Sequence, residues 1–131
     1  MSGRRSRTKG HSFERHVANL FKQLGFEARR GLQYRDGEDA ADVVGVADYW
    51  IECKRGKRVA IKRAMNQASE ACKDKQPIVV SKEDRSPIFV TMKFDTFAEL
   101  LCPSQSSHVG WLFEASYQFY LVTIESRIEG H

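Results

Sequence analysis

The sequence holds little that would tie it together covalently or carry it into a membrane. Its 131 residues include three cysteines, Cys53, Cys72 and Cys102. They are odd in number, far apart and form no CxxC pair, which leaves no disulfide framework and no cysteine zinc site. A reduced, cytoplasmic protein is expected, in the host cytoplasm if the source is viral. No segment approaches the ~18 apolar residues needed to span a bilayer, and the basic N-terminal stretch lacks the apolar run of a signal peptide. Secretion and membrane insertion are not expected. His11 and His16 have no metal-ligand partners nearby and read as surface residues.

Charge is what the chain has. Lys and Arg number 21 against 17 Asp and Glu, a formal net charge of +4. This balance suits a polyanionic partner, because lysine and arginine bind nucleic acid by releasing counterions condensed on the phosphates. The same balance occurs in proteins with no such role, so charge alone leaves the partner open. A hydrophobic fraction of 41% supplies one modest core, and the length suits one domain.

The periodicity predicts a sequence of elements. Residues 1–11, with Arg4, Arg5, Arg7 and Lys9 among Ser and Gly, read as a flexible basic arm, and 12–131 as a single domain. Ser12 is a candidate cap for a helix whose stripe is Phe13, Val17, Leu20, Phe21 and Leu24, with Gly25 as the stop. Glu14 lies at the margin of that stripe. Alternation from Phe26 to Tyr34 predicts a strand, followed by an acidic turn containing Asp36, Glu38 and Asp39. Asp42–Gly45 and Tyr49–Lys54 then read as a β-hairpin. A second helix carries Ile61, Ala64, Met65, Ala68 and Cys72 on one face. Two strands at Ile78–Val80 and Ile88–Val90 and a short helix at Thr96–Leu101 follow, and 103–131 form an extension of uncertain placement. The expected order is helix, three strands, helix, two strands, helix.

The chemistry concentrates in the hairpin. Side chains alternate across a strand, so Trp50, Glu52 and Lys54 share one face. A turn centred on Ala47 places Asp42 opposite Glu52, where Cβ atoms are about 4.5–5.5 Å apart. Facing carboxylates repel unless neutralised, and a divalent cation neutralises them well; Mg²⁺ takes one or two carboxylates and completes its shell with water and phosphate oxygens. Taken by itself, the E-x-K tripeptide also fits a solvated strand face.

The neighbouring residues sharpen this. Lys9-Gly10-His11-Ser12-Phe13-Glu14-Arg15, Gly25-Phe26-Glu27-Ala28-Arg29-Arg30, Asp42 and Ile51-Glu52-Cys53-Lys54 together resemble the PD-(D/E)XK nuclease superfamily, and most closely its archaeal-type Holliday-junction resolvases, including phage versions. The resemblance covers about the first 75 residues. It implies an α/β, restriction-endonuclease-like core, with a central mixed β-sheet flanked by helices in αβββαβ order. It further implies that Asp42 and Glu52 bind catalytic Mg²⁺ (Mn²⁺ substituting), that Lys54 assists the nucleophilic water, and that Glu14 joins through the metal or a water. Gln67 matches a polar position often near such sites, and a surface helix glutamine fits it equally.

The chain departs from the pattern in carrying Ala41 where a proline is usual before the aspartate. It also has Gly31-Leu32-Gln33-Tyr34 where resolvases often have Ser-Gly. The acidic turn is a candidate for a second cation or a plain solvated turn. Arg29, Arg30, Arg55, Lys57, Arg58, Lys62 and Arg63, with the N-terminal arm, are expected to contact phosphates without reading sequence. The expectation is a homodimeric endonuclease for branched double-stranded DNA. The alternatives are a restriction- or repair-type endonuclease of the same fold acting on linear or damaged duplex, and a non-catalytic basic DNA-binding protein.

Overall fold

The computed structural model of the chain describes residues 2–32 and 40–103. The chain divides into two units, residues 1–92 and 93–131. The first contains α1 (Ser2–Gln23), β1 (Arg29–Arg30), β2 (Val43–Val44), β3 (Tyr49–Gly56), α2 (Ile61–Ala71), β4 (Gln76–Glu83) and β5 (Ile88–Met92). The second contains α3 (Phe94–Leu101), which starts two residues before the expected Thr96. Helices and strands thus follow one another in the predicted order. None of the described helices is long and apolar enough to cross a membrane.

The five strands form one mixed sheet in the order β1-β2-β3-β4-β5, an α/β architecture. Every neighbouring pair is antiparallel except β3 and β4. Those two are joined through α2, as parallel neighbours must be, since reversing the chain twice takes a crossover rather than a tight turn. In β4 the run Pro77 to Ser81 is buried throughout, as befits a strand covered on both faces.

Alternation along β3 separates two cores. Ile51 and Cys53 join Phe13, Val17 and Ala18 of α1 and Ile78 and Val80 of β4. Trp50 joins Ala64 and Ala68 of α2 and Val79 of β4. Helix α1 therefore covers one face and α2 the other, and the even-numbered residues of β3 face α2.

The ends of α1 are set differently. At its C-terminus Gly25 takes φ +98°, its N–H donates to Lys22 O, and the Phe26 N–H donates to Phe21 O. This is a Schellman closure, and it carries the expected apolar contact between Phe21 and Phe26, whose rings meet edge-to-face at 6.2 Å. The closure corrects two expectations. Leu24, expected in the buried stripe, is 73% exposed because the helix has already ended. Phe26 belongs to the turn rather than to a strand, so β1 is only Arg29–Arg30.

The helix also begins earlier than expected. Ser12 does not cap it, and residues 2–11 are helical rather than a flexible arm. Arg, Lys and Thr before Ser12 carry the register forward, and the Thr8 hydroxyl donates to Arg4 O at 2.9 Å. The acidic turn and residues 104–131 of the C-terminal extension lie outside the described residues.

The β2–β3 hairpin depends on one close approach. Gly45 has φ +91°, and a Cβ there would sit 2.1 Å from Glu27 O. Strain and overlap both exclude a side chain. Gly45→Ala should therefore cost about 3 kcal/mol of stability, read as a lowered urea midpoint. A change under about 0.5 kcal/mol would contradict this packing.

Candidate active site

The hairpin brings the two central carboxylates together. Val43 pairs with Ile51, a register centred on Ala47 that carries Asp42 alongside Glu52. The Asp42 N–H donates to Ile51 O at 3.1 Å, and Asp42 Oδ2 accepts the Cys53 N–H at 2.7 Å. Backbone bonds thus fix Asp42 before any ligand arrives. Asp42 is 8% exposed.

Glu52 lies against it with three neighbours of different kinds. Its Oε1 accepts the Trp50 indole N–H at 3.4 Å, its Oε2 is 3.6 Å from Lys54 Nζ, and it shares a hydrogen bond with Asp42. Burial pushes the Glu52 carboxyl from its ordinary 4.5 to about 7; the charge of Asp42 and the bond to it add to the rise, and Lys54 and Trp50 oppose it. The pair is short of positive charge and holds a proton in its place. Cys53 does not contribute a nucleophile: burial, reinforced by Asp42, Glu14 and Glu52, pushes its thiol up and keeps it neutral.

The donor set fits a hard divalent cation. Two adjacent carboxylates, one held by the backbone and the other pushed towards its protonated form by burial and by its neighbour, form the oxygen-only pair that Mg²⁺ takes. Among the described residues no three His, Cys, Asp or Glu side chains gather as a metal-holding group. Glu14, buried at 6% exposure, accepts the Arg30 Nε–H at 2.5 Å. Arg30 thus ties α1 to β1.

Beside the pair opens a cleft of about 330 Å³. Lys54, Arg55, Arg58, Arg63 and Gln67 line it, so Lys54 belongs both to the carboxylate cluster and to the cleft, and Gln67 of α2 reaches the same space. Arg55 is fixed in the wall: its guanidinium donates to Lys82 O and Gly56 O and pairs with Asp84 at 2.7 Å. Lys57, Arg58, Lys62 and Arg63 are exposed, as is Arg29.

Two supporting residues gave no signal in the sequence. Glu83 Oε1 accepts the Val59 N–H at 2.8 Å, holding the loop that carries Arg58. Asp84 secures Arg55. They act from the last residue of β4 and the turn after it, far along the chain, and no local spacing announces them. Trp50 was legible, because it is two residues from Glu52 on the same strand face.

Comparison with known families places residues 5–97 in the family model Mrr_cat, described as a restriction endonuclease. No curated protein and no solved structure matches the chain.

The acid pair has a consequence for stability. Below about pH 4.5 Glu52 is protonated folded or unfolded; between about 4.5 and 7 the folded state keeps the proton that the unfolded state releases, so stability falls as pH rises. Glu52→Gln, which cannot ionise, should raise metal-free stability at pH 8 by about 1–2 kcal/mol, allowing for partial exposure, and change it little at pH 4. Urea unfolding in EDTA at both pH values reads this, and equal destabilisation at both would contradict the pair.

Proposed function

The chain belongs to this restriction endonuclease family, and on that premise we propose that it is a Mg²⁺-dependent endonuclease that hydrolyses DNA phosphodiesters, with four-way junctions as its preferred substrate. The observation that carries the chemistry is the Asp42–Glu52 carboxylate contact, with Lys54 alongside and a basic cleft beyond it.

Asp42 and Glu52 would hold the cation, each by carboxylate oxygens. Bound there, Mg²⁺ (or Mn²⁺, which favours the same ligands) supplies Lewis acidity towards water and a phosphoryl oxygen. Lys54 presents its ammonium where negative charge develops on the phosphoryl group and orients the attacking water. Arg58, Arg63 and Gln67 hold the neighbouring phosphates in the cleft, and Arg55 stiffens its wall. Glu14, through Arg30, keeps α1 and β1 in place around the site.

Two lines of support bear on the substrate. The motif set from Lys9 to Lys54 resembles junction resolvases and favours branched DNA, where two-fold related cuts call for a homodimer. The family match favours a second reading, cutting of linear duplex, with equal weight.

Cleavage of a labelled four-way junction and a linear duplex of matching sequence, each with Mg²⁺ or EDTA, separates these. Paired nicks confined to the junction and dependent on metal are expected; cutting of both substrates would move the assignment to the linear-duplex reading. Glu52→Ala should abolish cutting and retain junction binding, and Lys54→Met should slow it about 100-fold or more. Binding without cleavage by the unaltered protein under any divalent metal would overturn the assignment.

A further inference from the structure

The N-terminal half of α1 has no core beneath it. Residues 3–9 are all exposed, and the first buried side chain is Phe13. Arg4, Arg5, Arg7 and Lys9 lie in this stretch, its first turn contains no acid, and the first carboxylate along the chain is Glu14. At 100° per residue Arg4 lies nearly opposite the Phe13–Val17 stripe, Arg5 and Arg7 stand about equally far to either side of it, and Lys9 is the nearest to it. The projection is cationic nearly all round.

Its base comes near the turn after β4. The Asp84 carboxyl is held low first by the hydrogen bond from Arg55, and also by the charges of Lys9 and Lys57. Lys9 therefore lies within electrostatic reach of the turn that fixes the cleft wall. Lys57 and Lys9 both act on Asp84, and the cations of α1 run outward from there.

Cations at a helix N-terminus oppose the helix dipole. Gly3 and Gly10 weaken this segment further. What sustains it is continuation from the packed half of α1, which spares it the cost of nucleation. A polyanion alongside would cancel the repulsion and complement the dipole.

We propose that residues 2–11 act as a stiff basic helix that lies along the phosphates of the duplex flanking the cut, with Gly10 setting its stiffness. This rests on the nuclease reading above and extends it to the DNA outside the cleft. From Glu14 to Arg4 the helix rises about 15 Å, enough to follow about four base pairs at 3.4 Å each. No side chain is committed to a base, so the contact is one of charge and shape.

Two substitutions that leave every charge in place separate a stiff helix from a flexible tail. Thr8→Pro breaks the helix within its projecting half and isolates a segment too short to stay helical. Gly10→Ala strengthens it, since nothing lies within 4 Å of the added Cβ.

Binding of a fluorescent linear duplex to the full chain, without divalent metal and over a range of salt, should be about fivefold or more weaker for Thr8→Pro and about twofold tighter for Gly10→Ala. The combined variant Arg4→Gln, Arg5→Gln, Arg7→Gln, Lys9→Gln should reduce the salt slope by about 3. If only that variant weakens binding, charge acts through a flexible tail and the proposal fails. If all three variants bind as the unaltered chain does, the helix does not touch DNA; Mg²⁺-dependent cleavage by the unaltered chain would then leave the nuclease reading standing. Absence of both binding and cleavage in the unaltered chain would overturn the two together.

Discussion

Asp42 and Glu52 are pressed together on neighbouring strands, and most of the site answers to that constraint. Two carboxylates in a half-buried space repel, and neither can leave, because the Cys53 N–H holds Asp42 and Trp50 and Lys54 flank Glu52. Burial first, and then the charge of Asp42 and the bond to it, hold the Glu52 carboxyl up near neutrality. The sheet supplies the rigidity that makes this possible: Ile51 and Cys53 lock β3 to α1 on one face, and Trp50 locks it to α2 on the other. A surface loop bearing the same residues would part them and lose the site.

Positive charge is arranged in layers around this acidic centre. Lys54 belongs to both. Beyond it the cleft takes Arg58 and Arg63 from the loop and first turns around α2, and the end of β4 and the turn after it brace that wall through Glu83 and Asp84. Acidic residues here order basic ones without filling the cleft, so the surface offered to phosphate stays cationic and preformed. Preformed contacts lose less entropy on binding.

Much of the site was legible because strand periodicity is a local rule. The two-residue repeat placed Trp50, Glu52 and Lys54 together, and a turn centred on Ala47 put Asp42 beside Glu52; the Val43–Ile51 pairing has that centre. Gly25 ended α1 as its backbone freedom suggested. Ser12 misled, because the packed half of α1 continues back through the ten preceding residues and spares them the cost of nucleation. The strand expected from Phe26 contracted because Phe26 serves the helix end. The resemblance implied that Glu14 joins the site through a metal or a water, and its contact with Arg30 became visible only when helix and strand were packed. Glu83 and Asp84 act across the parallel β3–β4 register, a pairing that no spacing along the chain encodes.

The most direct test of the account is anomalous diffraction from crystals of the chain grown with Mn²⁺ and an uncleaved DNA. The account predicts a manganese peak within about 2.3 Å of carboxylate oxygens from both Asp42 and Glu52, with a phosphate oxygen in the same shell. Manganese bound elsewhere, with the Asp42–Glu52 hydrogen bond intact beneath the DNA, would contradict it.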